Sequence, residues 1–326
     1  MKKILITGGA GFVGRYFTKY FLDKNYQVHI VDNLSEYTGA KDPKDWPLYS
    51  PKDYKNFIFH KEDCRNWFVS NQIDDFDYVL HLAAMVGGRI MIEKNPIAVS
   101  DDLSIDSHFW QWAVNSKPKK ILTFSSSACY PVIYQKKDNY RLLSEDLVKF
   151  DQTIGVPDLT YGWAKLTSEY LGKIAYENYG IKSIVYRPFS GYGKDQDLSY
   201  PFPSICKRIL NNISAKEIKV WGTGDQMRDF IHIEDCVKGV INTMDKINDG
   251  SPINLSTGKL TSFKEFVKLG CKILGFETEV LGTSDKPEGV FARGGDTKLQ
   301  NELGFFANID LNNGIEEAFK FFDKKK

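Results

Sequence analysis

MKKILITGGAGFVG, residues 1–14, is the stretch that decides how this chain folds. A short apolar run, Ile4-Leu5-Ile6, enters a turn with glycines at 8, 11 and 14, and an amphipathic pattern follows. An apolar strand running into a glycine-rich turn that opens a helix is the start of a nucleotide-binding β-α-β unit. In such a turn Gly8 permits the tight reversal, Gly11 lets the backbone approach a pyrophosphate, and Gly14 lets helix and sheet pack closely. The phosphates would rest on the free N–H groups of the helix N-terminus, where Phe12 and Val13 stand.

Outward from that turn, Gln27-Val28-His29-Ile30-Val31 reads as a second strand and Asp32 follows it directly. A carboxylate about 20 residues beyond the glycines is placed to accept hydrogen bonds from ribose hydroxyls and to repel a 2′-phosphate. The next residues, Asn33 and Leu34, offer no arginine to receive such a phosphate. The cofactor expected here is therefore NAD rather than NADP.

Apolar strands alternate with helical stretches through the first half of the chain. Strands are predicted over residues 3–7, 27–31, 57–60, 78–82, 120–125 and 183–186, and helices over 12–24, 96–115 and 161–178. This alternation predicts an α/β fold, a Rossmann-type doubly wound parallel sheet. From about residue 189 the rhythm breaks, so the expected division is a Rossmann domain over 1–188 and a smaller mixed lobe over 189–326, with segments free to interleave. Residues 33–56 show no period and read as a long loop near the adenosine end of the cofactor.

A net charge of +1 leaves no electrostatic footprint for nucleic acid or an acidic membrane surface. No apolar run approaches the roughly 18 to 20 residues a membrane helix needs. Five scattered cysteines without a C-x-x-C pair read as free thiols, which makes the cytoplasm the expected compartment. No metal-ligand cluster is apparent, and His81 reads as structural.

The strongest catalytic signal is Tyr161-Gly-Trp-Ala-Lys165. Residues four apart share a helix face, so the Lys165 ammonium can lie beside the Tyr161 phenol. A free phenol has a pKa of about 10, and a neighbouring cation lowers it toward the range of a usable base. A hydroxyl-rich strand end, Ser125-Ser126-Ser127, can donate to the same substrate oxygen that Tyr161 would deprotonate.

Taken with the glycines at 8, 11 and 14, the segments His81-Leu82-Ala83-Ala84, Ser125-Ser126-Ser127-Ala128 and Tyr161/Lys165 resemble the extended short-chain dehydrogenase/reductase family. These are NAD-dependent nucleotide-sugar epimerases and dehydratases. Arg187-Pro188-Phe189, residues 221–230 and Asp296-Thr297-Lys298 fit the same pattern, so the resemblance spans nearly the whole chain. Within the family the chain looks most like the GDP-mannose 3,5-epimerases, on Gly87-Gly88, Ser127-Ala128-Cys129, and Pro287-Glu288-Gly289-Val290 followed by Arg293.

The resemblance implies that Tyr161 removes the C4-hydroxyl proton while hydride passes from C4 to NAD. Ser127 and Lys165 would orient and polarise, with Ser126 as the fallback because the segment is one residue shorter than in those epimerases. Cys129 would be the base that removes a C3 or C5 proton. Asn33, Asp63, Cys64, Leu82, Ala83, Ala84 and Ser125 are expected at the cofactor, with Tyr161 and Lys165 touching it as well. The substrate would meet Gly87, Gly88, Arg89, Ser190, Lys207, Val220 and Gly222, with Arg228 and Arg293 as a diphosphate clamp. A GDP-linked sugar is the implied substrate. A homodimer is the implied assembly, through residues 96–115 and 161–178.

Two departures qualify this expectation. The acid of the 3,5-epimerase pair is a lysine, and its matching position here is Ser199, with Lys194 too early in the loop. The 4,6-dehydratases carry an Asp-Glu pair where this chain has Ala128-Cys129, so dehydration is disfavoured. Three readings stay open: an epimerase working through transient C4 oxidation, a 4-dehydrogenase/reductase that releases or consumes a 4-keto sugar, and a non-catalytic NAD-binding regulator.

Overall fold

Seven strands form one sheet: β1 (Lys3–Thr7), β2 (Gln27–Val31), β3 (Phe57–His60), β4 (Tyr78–His81), β5 (Ile121–Phe124), β6 (Ser183–Pro188) and β7 (Asp249–Leu255). Their order is β7-β6-β5-β4-β1-β2-β3, and each neighbouring pair is parallel. This computed structural model describes residues 1–71, 75–85, 89–283 and 289–323, without the side chains of residues 89–91. Gly87, Gly88, the Arg89 side chain, Pro287 and Glu288 therefore lie outside the described residues.

A sheet covered on both faces needs apolar side chains pointing both ways, which is why its strands read as unbroken apolar runs. Ile4 and Ile6 join one core with Val28, Ile30, Leu80, Leu122 and Ile184, against helices α1 (Phe12–Asp23) and a later helix, Ile233–Thr243. Leu5 points the other way, into a second core with Val31, Val79 and Ile121. That face is covered by α2 (Cys64–Ser70), α3 (Asp101–Ser116) and α4 (Leu159–Tyr179). The expected α/β doubly wound sheet is the fold observed.

A smaller lobe packs α5 (Pro201–Asn211), α7 (Phe263–Ile273) and α8 (Leu311–Asp323) around their own apolar core, with a parallel strand pair, Glu217–Trp221 and Glu279–Thr283. A boundary at residue 188 does not separate the two lobes, because Ile233–Thr243, numbered α6, and β7 return to the first sheet. In sequence, β7 is masked by Pro252, a residue that removes a ladder donor and is confined to edges and bulges. It is tolerated because β7 is the edge strand and its register shifts between Asp249 and Pro252.

Residues 33–56 hold three short 3-10 turns. Trp46 is buried against Tyr49 and Phe57, the Tyr49 hydroxyl donates to the Arg15 carbonyl at 2.7 Å, and the Lys41 N–H donates to the Ala10 carbonyl at 3.2 Å. The segment is an ordered strap laid over α1.

Candidate active site

Strand order reverses at β1, with β2 and β3 to one side and β4 to β7 to the other. Ligands of open parallel sheets bind at such a switch point, outside the strand carboxyl ends. A cavity of about 460 Å³ opens there, lined by the glycine turn on one wall and by Arg228, Phe230 and Phe263 on the other.

The glycine turn is built as its chemistry requires. Gly8 sits at φ +68°, a conformation L side chains avoid, and a Cβ on Gly14 would lie 2.5 Å from the Gly9 Cα. Gly11 caps α1 without a side-chain hydrogen bond, so the first N–H groups of the helix are open toward the cavity, where Gly11, Phe12, Val13 and Gly14 all stand. Asp32 is buried and lines the same cavity. Its two oxygens accept the Ala10 N–H at 3.0 Å and the Leu34 N–H at 2.8 Å, and burial raises its carboxyl above the usual range. Asn33, Asp63, Cys64, Leu82, Ala83, Ala84 and Ser125 line the cavity as well. Asp63 also caps α2, accepting the Arg65 N–H at 2.9 Å, and its ion pair with Arg65 holds its carboxyl low. An uncapped helix N-terminus with a carboxylate at the end of β2 fits a dinucleotide.

On the catalytic side, the Asp158 N–H donates to the Ala128 carbonyl at 2.9 Å, which docks the start of α4 on the Ser126–Cys129 segment. Tyr161, Lys165, Ser125 and Ser126 consequently share the cavity wall. Ser126 stands close enough to the Tyr161 phenol to favour its ionised form, and it accepts the Ala128 N–H at 3.1 Å. The Lys165 ammonium lies 5.6 Å from the centre of the Tyr161 ring. Burial outweighs this cation and holds the phenol above its usual pKa. Lys165 favours the ionised phenol, while burial works against it.

Two expected catalytic side chains are elsewhere. Ser127 is buried and does not line the cavity, because the 3-10 turn at Ser127–Cys129 turns it inward. Ser126, the fallback, takes the place beside the phenol. Cys129 is fully buried in a cluster with Tyr130, Leu143, Leu166 and Phe189, off the cavity wall. Burial pushes its thiol well up, so it is not placed to act as a base.

Of the expected substrate contacts, Ser190 and Arg228 line the cavity. Arg228 lies over the Phe263 ring at 5.8 Å and donates to the Met227 carbonyl at 2.7 Å. Arg293 does not reach the cavity lining, because Gln135 at 2.6 Å and Asp158 at 2.7 Å hold its guanidinium. Lys207 is on the exposed face of α5, opposite buried Phe202 and Ile205, and Val220 is in the core of the smaller lobe. Gly222 makes a positive-φ turn after the strand Glu217–Trp221, away from the cavity lining. Lys194 pairs with Glu317 at 3.5 Å, and Ser199 is exposed and off the lining.

Several lining groups carry no sequence motif. Ser35, Thr38 and Lys41 of the strap reach the cavity. Asp195 forms a buried ion pair with Arg15 at 2.8 Å and accepts the Tyr16 hydroxyl at 2.8 Å, tying the loop after β6 to the cofactor-side helix. Tyr200, from the same loop, lines the cavity, and burial pushes its phenol well up.

Residues 4–256 match the model of the NAD dependent epimerase/dehydratase family. Over 336 residues the chain is 25% identical to GDP-L-colitose synthase of Yersinia pseudotuberculosis, covering 99% of each. Over 327 residues it is 26% identical to GDP-mannose 3,5-epimerase 1 of Oryza sativa subsp. indica, covering 97% of this chain and 80% of that one. The solved UDP-glucuronic acid 4-epimerase of Bacillus cereus, in complex with UDP-glucuronic acid and NAD, superposes with a TM-score of 0.84 at 26% identity, over 99% of this chain and 100% of that chain.

Proposed function

Since the chain belongs to the NAD dependent epimerase/dehydratase family and NAD is its cofactor, we propose that it inverts a nucleotide-linked sugar at C4. The observation that carries this reading is the shared wall of Tyr161, Ser126 and Lys165 beside the glycine turn, with Cys129 buried behind it. Held by the glycine turn and Asp32, NAD would supply the hydride acceptor and donor. Tyr161 takes the C4-hydroxyl proton and later returns it. Ser126 donates to the same oxygen, and Lys165 favours the ionised phenol. Arg228 reaches the diphosphate with a planar fork of donors. With no base at Cys129 and no lysine at 199, proton exchange at C3 and C5 is not part of the reaction.

The nucleotide is proposed to be GDP, on the likeness to the colitose synthase and the 3,5-epimerase, while the likeness to the Bacillus enzyme speaks for UDP. A second reading, a reductase acting on a 4-keto sugar, differs in its cofactor balance. Purified protein incubated with a panel of GDP-, UDP- and dTDP-sugars is expected to convert one of them with no net change in NADH absorbance. Stoichiometric gain or loss of NADH would replace the epimerase by the reductase.

A homodimer through α3 and α4 is supported by the exposed apolar side chains Leu103 on α3 and Trp163 and Tyr170 on α4. Trp163 and Tyr170, seven residues apart, share one helix face. Five free, buried thiols support placing the protein in the cytoplasm.

A further inference from the structure

Asp102, in the first turn of α3, is 1% exposed. One of its oxygens accepts the Met85 N–H, and the other, Oδ2, has no hydrogen-bond partner among the described residues. That second oxygen lies 4.0 Å from Lys165 Nζ. A buried carboxylate oxygen without a partner is costly, and here it faces the Lys165 ammonium, the cation beside the phenol.

Asp106 and Glu169 also bear on Lys165, though each hydrogen-bonds another side chain. On the same helix, Asp101 pairs with Arg65 of α2 at 3.0 Å, and Asp106 pairs with His81 at the end of β4 at 3.0 Å. On α4, Glu169 is held by Arg187 at 2.6 Å. We propose that Asp102 is a positioning residue, whose buried carboxylate faces Lys165, opposes an anion on the neighbouring Tyr161 phenol and so sets the pH at which that phenol ionises. The proposal rests on the reading of Tyr161 as the base.

The sign follows from charge. A carboxylate next to Lys165 stabilises the ammonium and opposes a second anion on Tyr161, so it raises both groups. Burial raises the Asp102 carboxyl to about 6, and above that pH the carboxylate is charged. Asp102→Asn keeps an oxygen for the Met85 N–H and removes the charge. The midpoint of Tyr161 ionisation is then expected to fall by about one pH unit, the size of a close like-charge effect.

The test is an NMR titration of NAD-loaded protein labelled at the tyrosine Cζ, with the Tyr161 signal identified by its loss in Tyr161→Phe. A downward shift in Asp102→Asn, with little shift in Asp101→Asn, is the expected result. An unmoved or raised midpoint, or an equal shift in Asp101→Asn, overturns the proposal. On wild-type protein the same signal should carry a second inflection near pH 6, where Asp102 ionises. Its absence overturns the proposal even if the Asn variant does not fold. The readout is ionisation rather than turnover, so failure to convert any nucleotide sugar would leave this test standing.

Discussion

Replacing Tyr161 with phenylalanine is expected to lower turnover by about a thousandfold while leaving NAD bound. General acid–base catalysis by a positioned side chain contributes roughly 10²- to 10⁴-fold, and the phenol is the group on the cavity wall suited to take the C4 proton. The substitution removes one oxygen and keeps the ring against which Lys165 rests at 5.6 Å. Ser126, beside the phenol on the same cavity wall, cannot substitute, because an alcohol without a base beside it does not accept a proton near neutral pH. The cofactor wall, from Gly8 to Asp32, does not involve the phenol. Turnover on the converted sugar, set against NAD released on denaturation, separates the two effects. Turnover within tenfold of wild type would remove Tyr161 from the mechanism.

Glu169→Ala is expected to cost about 3–5 kcal/mol of stability, the cost of stripping one partner from a buried ion pair. Arg187 is fully buried at the end of β6 and Glu169 nearly so, one turn beyond Lys165 on α4. The guanidinium gives the carboxylate two hydrogen bonds, at 3.0 and 2.6 Å, and lies over the Tyr130 ring at 4.9 Å. Without Glu169 its charge would keep the Glu145 carbonyl, at 3.2 Å, as an acceptor. Denaturant unfolding checks this: the midpoint should fall with an unchanged slope, and Glu169→Gln should fall less, since it retains an acceptor. A loss below about 1 kcal/mol, the size of a surface pair, would mean that this pair does not join sheet and helix.

How much of this was legible in the sequence follows from how local each signal is. The glycine turn and Asp32 can be read because their roles are set by backbone geometry within one β-α-β unit. The unbroken apolar runs of β1, β4 and β5 are equally direct, since a sheet covered on both faces leaves few alternatives. Tyr161 and Lys165 are one helical turn apart, so their shared face follows from the spacing alone. By contrast, Arg293 looks the same in sequence whether it meets a phosphate or an internal carboxylate. Asp158 decides that from 135 positions away. Ser127 and Cys129 turn inward because of a single 3-10 turn, a deviation that residue type does not announce. β7 hides behind Pro252, and Asp102 resembles any acidic residue opening a helix until α4 brings Lys165 to it.

The central claim is that chemistry is confined to C4, and incubation in D₂O with the converted nucleotide sugar tests it most directly. NMR of the product should show inversion at C4 with no deuterium bound to carbon, because hydride leaves and returns without exchanging with solvent. Deuterium at C3 or C5 would contradict the account, since it requires an enolising base at a site where Cys129 is buried behind the wall.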